Sequence, residues 1–256
     1  KQPMSNLKIS QISFSYSDKT ILKNLSLQLN KGEITCLIGE SGSGKTTLLR
    51  IISGLDRQDS GIISYGNETI ADDKIFTETH LRNIGLVVQE RALFPHLNII
   101  ENICFGLNSS KREKIKRGRE LMDKFNILKY ESFFPHQISS GEQQRVALAR
   151  ALAPSPRVIL MDEPFSSLDR ALKFSLRNET KEILKNENIT ALLVSHDFND
   201  ALEVADKLAI IHEGSIIQVG EPRSVVLNPI NKYIKKQFVC ETGDILYWKS
   251  VINGEK

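Results

Sequence analysis

The chain has 256 residues, 40% hydrophobic and 25% charged, so it can bury one large core, and a formal net charge of +3 excludes a composition built for nucleic acid or an anionic membrane. Three cysteines, Cys36, Cys104 and Cys240, are odd in number and far apart, which excludes a disulfide framework and fits a reducing compartment with Cys36 in the core. No apolar run reaches the roughly 18 residues that span a bilayer, and the opening at Lys1 lacks the hydrophobic stretch of a signal peptide, so other chains would have to hold this one at a membrane.

From Leu7 to Asn30, Ile9, Ile12 and Phe14 lead to Tyr16. Leu25, Leu27 and Leu29 then alternate towards the turn Asn30-Lys31-Gly32, which predicts an antiparallel β layer. Tyr16, beside Ser17-Asp18, is either a core or edge tyrosine or a ring exposed enough to stack on adenine. Next comes a short apolar strand, Ile34 to Ile38, and after it Leu48, Leu49, Ile51 and Ile52 recur at helical spacing until Gly54. Between strand and helix, Gly39, Glu40, Ser41, Gly42, Ser43, Gly44, Lys45, Thr46 and Thr47 match G-x-x-x-x-G-K-[ST] plus one residue. Glycines lacking Cβ let backbone N–H groups curl around a phosphate, and the start of a helix adds free donors and a positive dipole end. Lys45 would reach the outer phosphates, Thr46 would ligate magnesium, and Thr47 would add a phosphate contact. The alternative is a Gly/Ser-rich turn before an ordinary helix.

Ser60 to Gly66 predicts a hairpin, and Ile84 to Val88 a buried strand ending at Gln89, which is either a surface amide or a group that ligates magnesium or orients water. From Phe94 to about His136 the spacing turns helical, with Leu121, Met122, Phe125 and Leu128 on one face, as in an inserted helical lobe. Within it, Lys111 to Arg119 reads as a solvated helix face. Ser139 and Glu142 then have capping-box spacing around Ser140 and Gly141, ahead of Val146, Ala149 and Leu152. This is a well-capped helix or a second anion site.

Val158 to Met161 is a flat apolar run, as in a parallel strand covered on both faces, and ends in Asp162-Glu163. Ligands of open α/β sheets bind beyond the strands' carboxyl ends. The pair is either a solvated strand end or a magnesium ligand, Asp162, beside a water-polarising Glu163. Ser166 to Asp169 opens a helix to about Asn186. Ala191 to Val194 makes another strand ending in Ser195-His196-Asp197, where His196 is either structural or aimed at a terminal phosphate. Leu208 to Val219, with Glu213-Gly214 in the middle, predicts a closing hairpin. The tail from Tyr233, with Trp248, alternates weakly like a strand.

In this order the motifs resemble the nucleotide-binding subunit of an ATP-binding cassette (ABC) transporter, from Tyr16 to about Pro229. Tyr16 matches the adenine-stacking aromatic, Gly39 to Thr47 the Walker A loop, Gln89 the Q-loop and Ile138 to Glu142 the signature. Val158 to Asp162 match Walker B with Glu163 as catalytic Glu, Ser167 to Asp169 the D-loop, and His196 the switch His. Ser140 and Glu142 depart from the usual LSGGQ, and extra bulk at Ser140 would weaken closure. The resemblance implies an α/β P-loop NTPase core with a mostly parallel sheet, an N-terminal antiparallel β layer and an inserted helical subdomain at about 90–155, in a cassette over 1–232 with a short extension at 233–256. It implies ATP and Mg2+ as ligands, and a second copy sandwiching two ATPs. It also implies transmembrane permease subunits, reached in turn by an extracytoplasmic substrate-binding protein, and a peripheral place on the cytoplasmic face of the inner membrane. Leu93-Phe94-Pro95-His96 with Glu101-Asn102-Ile103, and the stretch Gly214 to Pro222, resemble bacterial importers for iron(III), polyamines, sulfate or maltose, with Ala191 to Asp197 leaning to the ferric type. Many such relatives carry a regulatory β-barrel after the cassette, which the short extension does not match. A soluble cassette ATPase of DNA repair or translation is the rival, without the coiled coils or zinc modules it would need; an export ATPase is another.

Overall fold

The computed structural model describes residues 6–166 and 168–235. The chain opens with β1 (Leu7–Tyr16) and β2 (Lys19–Leu29), then β3 (Ile34–Ile38) and α1 (Lys45–Ser53). A hairpin follows, β4 (Ser60–Tyr65) and β5 (Glu68–Ala71), then β6 (Ile84–Val87). The middle is helical: α2 (Ile99–Cys104), α3 (Lys111–Lys124) and α4 (Ser140–Leu152). The rest alternates: β7 (Val158–Asp162), α5 (Arg170–Asn186), β8 (Thr190–Ser195), α6 (Phe198–Val204), then β9 (Lys207–His212), β10 (Ser215–Gly220) and α7 (Pro222–Leu227).

Two sheets result. The expected antiparallel layer is a 4-stranded sheet in the order β2-β1-β4-β5. The main sheet has 6 strands in the order β10-β9-β3-β8-β7-β6, all parallel except the hairpin partner β10. Its central strands β3, β7 and β8 are buried at every position, which explains why their sequences do not alternate. Successive side chains feed different apolar clusters. Cys36, Met161 and Leu193 pack with the helical segment's Ile99, Ile103, Leu121 and Phe125, whereas Leu37, Leu160 and Leu192 pack with α1 and the antiparallel sheet.

The helices begin where their caps dictate. Asn98, Ser110 and Ser139 each form a complete capping box, with Glu101, Glu113 and Glu142. Gly54 ends α1 in the left-handed region, φ 84°, and donates its N–H back into the last turn. The solvated face expected on α3 is present, although Arg117 reaches Glu187 at 2.7 Å and Arg119 reaches Glu131 at 2.8 Å. The expected strand from Tyr233 is corrected in part: residues 232–235 are helical, because the Asn231 side chain caps the turn by accepting from Ile234 N at 2.9 Å, and the Tyr233 ring packs on His212 at 3.8 Å between centroids. Cys240 and Trp248 lie outside the described residues, as does the structure of Ser167. Among the described residues no helix is long and apolar enough to cross a membrane.

Candidate functional site

Three neighbouring parallel strands, β3, β8 and β7, end on one side of the sheet, and each delivers one part of a site. The loop after β3 supplies Ser41, Gly42, Gly44, Lys45, Thr46 and Thr47. The end of β7 supplies Asp162 and Glu163, and the end of β8 supplies His196. Together with Gln89 after β6 they line a cavity of about 430 Å³. Lys19 and Ile21 of β2 complete its wall; nothing in the local pattern singled them out, because the antiparallel sheet brings them there.

The loop geometry explains its composition. Gly44 has φ 101°, and a Cβ there would sit 2.6 Å from Leu22 Cδ2, so only glycine fits ahead of α1. Gly42, at φ 80°, borders open space on the cavity side. Lys45 is 9% exposed, and its ammonium donates to the carbonyls of Gly39 at 2.6 Å and Glu40 at 2.9 Å, which folds the loop around it. Ser43 is buried under the loop, and its hydroxyl has no hydrogen-bond partner among the described residues.

Asp162 and Glu163 part company through the backbone. Asp162 stays in the strand, 8% exposed; burial pushes its carboxyl above the ordinary value, against the hydrogen bond from Thr46, and the Glu163 charge adds to the rise. Glu163 adopts φ 49°, the left-handed region that non-glycine residues rarely enter. Its N–H donates to Val194 O at 3.0 Å, and its carbonyl accepts from Ser166 N at 3.2 Å and Ser166 Oγ at 3.0 Å. This kink aims the carboxylate at His196, whose Nδ1 lies 2.8 Å away. An adjacent acidic pair thus becomes two separately oriented groups.

The segment carrying His196 is anchored from behind. Arg177 of α5 is buried and donates to Asp200 at 2.6 Å, Asp197 at 2.7 Å and Glu203 at 3.2 Å, while the Ser195 hydroxyl donates to Asp200 and accepts from Asp197 N at 2.9 Å. Burial raises the Asp200 carboxyl to about 6 in spite of Arg177. Arg177→Met is expected to cost about 3 kcal/mol at pH 7, since it strands the buried Asp200 carboxylate. Arg177 holds the Asp200 carboxyl down against burial, so without it Asp200 titrates higher still, protonation relieves the stranded charge, and the loss should shrink as pH falls from 7 to 5. Urea unfolding at the two pH values checks both size and direction.

The remaining expected residues lie apart from the cavity lining. Tyr16 is 49% exposed, as one of its two readings required, but its hydroxyl donates to Asp56 at 2.9 Å and its ring stands edge-on to Phe14 at 4.7 Å. Ser139, Ser140, Gly141 and Glu142 form the start of α4, and Asp169 caps α5 by accepting from Leu172 N at 3.0 Å. Sequence reading also missed a clamp behind Gln89. Arg91 and Ala92 both have positive φ, 62° and 47°, and Arg150 of α4 donates to their carbonyls at 3.0 and 2.7 Å. Arg91 in turn reaches Gln144 at 3.2 Å.

A glycine loop at a helix start, opposed by strand-end carboxylates at a carboxyl edge, makes this a phosphate-loop nucleotide-binding fold. Residues 22–166 match the ABC transporter family, and the chain belongs to that family. It is 41% identical over 251 residues to the Fe(3+) ions import ATP-binding protein FbpC 2 of Pectobacterium atrosepticum, covering 98% of this chain and 71% of the relative. It is 43% identical over 230 residues to the Fe(3+) ions import ATP-binding protein FbpC of Yersinia pestis, covering 90% and 66%. The chain thus spans about two thirds of the length of such curated relatives. The dimeric structure of MJ0796, a bacterial ABC transporter cassette, superposes with a TM-score of 0.74 at 30% identity over 84% of this chain and 98% of that one. A post-hydrolysis state of the same cassette, bound to ADP and Pi, gives 0.72 at 30% identity.

Proposed function

We propose that the chain is the ATP-hydrolysing subunit of a ferric-iron importer, closing on a second copy of itself around ATP and passing that closure to membrane permease subunits. The observation that carries this reading is the convergence of Lys45, Asp162, Glu163 and His196 on one cavity at three adjacent strand ends. The iron assignment leans on the relatives named Fe(3+) import ATP-binding proteins.

In this reading the N–H groups from Gly42 to Thr47 cradle the phosphates, and Lys45 exchanges the Gly39 and Glu40 carbonyls for phosphate oxygens. Gly39, Glu40, Ser41 and Ser43 shape the loop, and Tyr16 offers its exposed ring to adenine. The donor set fits magnesium: Thr46, Asp162 and Gln89 offer hard oxygen ligands, and the buried Asp162 carboxylate needs a cation beyond its Thr46 bond. Among the described residues no group of three or more His, Cys, Asp or Glu could hold a metal alone, so the phosphates would complete the shell. Bound magnesium would neutralise charge developing on the transferred phosphoryl group. Glu163 accepts the proton of the attacking water, and His196 holds Glu163 in line while facing the terminal phosphate. Ser139, Ser140, Gly141, Glu142 and Asp169 would act across the dimer, on the nucleotide of the second copy, which accounts for their distance from their own cavity.

The cassette spans 1–232 with a helical lobe at about 90–155 that meets the permease, Gln89 relaying between lobe and cavity. The chain sits on the cytoplasmic face of the membrane, and an extracytoplasmic binding protein delivers iron to the permease. The test is twofold. Purified chain should release phosphate from ATP with Mg2+, and affinity capture from cells should recover a membrane permease; recovery of DNA or ribosomes instead would favour a soluble cassette ATPase.

A further inference from the structure

Glu142 places a carboxylate in the first turn of α4, the helix whose start presents Ser139, Ser140 and Gly141. A negative charge there suits the helix but opposes any anion arriving at the same N–H groups. Both of its oxygens are engaged within the chain. Oε2 accepts from Ser139 N at 2.7 Å and Ser139 Oγ at 2.8 Å, and Oε1 accepts from the hydroxyl of Tyr130. Burial opposes ionisation of Glu142, but the bonds from Tyr130 and Ser139 outweigh it and keep the carboxyl below its ordinary value.

Tyr130 is itself fixed. It ends the short turn Leu128–Tyr130, packs against the core cluster, stands T-shaped to Phe133 at 5.5 Å and carries Lys129 Nζ 4.8 Å from its ring. Its N–H donates to Ile127 O at 3.0 Å. The hydroxyl is therefore a rigid arm reaching Glu142 from a separate element.

We propose that Tyr130 is a positioning residue for dimer closure: it holds the Glu142 carboxylate back along its own helix, so that the start of α4 offers N–H groups, and no loose negative charge, to the terminal phosphate on the second copy. The inference rests on the sandwich reading above. Without the hydroxyl, Oε1 is released to turn towards the arriving phosphate, and closure has to bring two anions together. A neutral amide at 142 removes that repulsion whatever Tyr130 does.

The experiment uses the full chain carrying Glu163→Gln, so that closed dimers accumulate, and reads by light scattering the ATP concentration for half-maximal dimerisation. Tyr130→Phe is expected to raise that concentration about tenfold, the scale of one hydrogen bond to a charged group. Adding Glu142→Gln should return Tyr130→Phe to within about twofold of Glu142→Gln alone, and ATP affinity of the isolated protomers should not change. Closure of Tyr130→Phe at the parent's ATP concentration overturns the inference. So does failure of Glu142→Gln to rescue it, which would leave Tyr130 a packing role alone. If the parent with Tyr130 binds ATP yet stays monomeric, the sandwich reading itself falls and takes this inference with it, a result distinct from a dimer indifferent to Tyr130.

Discussion

Glu163→Gln is expected to leave ATP affinity unchanged and slow hydrolysis by about a hundredfold, the usual scale of a lost general base. The amide keeps the shape of the carboxylate and can still meet His196 Nδ1, 2.8 Å away, so the kink at φ 49° and its bonds to Val194 and Ser166 survive. What disappears is the ability to take a proton from water. Single-turnover phosphate release, set beside an equilibrium ATP titration, separates the two effects. An unchanged rate would remove Glu163 from that role.

Lys45→Ala should instead act on binding, weakening ATP by about a hundredfold through the loss of charge-assisted contacts to the phosphates. The change also leaves the carbonyls of Gly39 and Glu40 without the ammonium that folds the loop around them, so preorganisation is lost with the charge. A nucleotide titration by fluorescence or calorimetry reads the effect directly. Wild-type affinity in the variant would show that the backbone N–H groups alone carry the phosphates.

Much of this architecture was legible because it is locally encoded. The flat runs Val158 to Met161 and Ala191 to Val194 announced covered parallel strands, the capping box at Ser139 was readable from spacing, and the phosphate loop declared itself by its glycines. Residues that act through distant partners were not legible. Arg150 clamps a carbonyl 58 positions away, and Arg177 meets carboxylates on the next helix and its leading turn. Periodicity reports which way a side chain faces and is silent on what it meets. The positive φ of Glu163 escaped for another reason, since nothing in the dipeptide Asp162-Glu163 marks a kink that neighbouring strands and Ser166 impose.

The division of the apolar interior by the main sheet bears on how motion could pass through this protein. One face of β3, β7 and β8 shares a continuous apolar cluster with α2, α3 and α4, and the Arg91 and Arg150 links tie the segment after β6 to α4 beside it. A hinge would have to open a gap in that close-packed contact, whereas sliding keeps it closed while side chains re-seat between a few rotamers. A close-packed contact of this kind favours shear: small displacements, transmitted stiffly between the sheet and the helical segment.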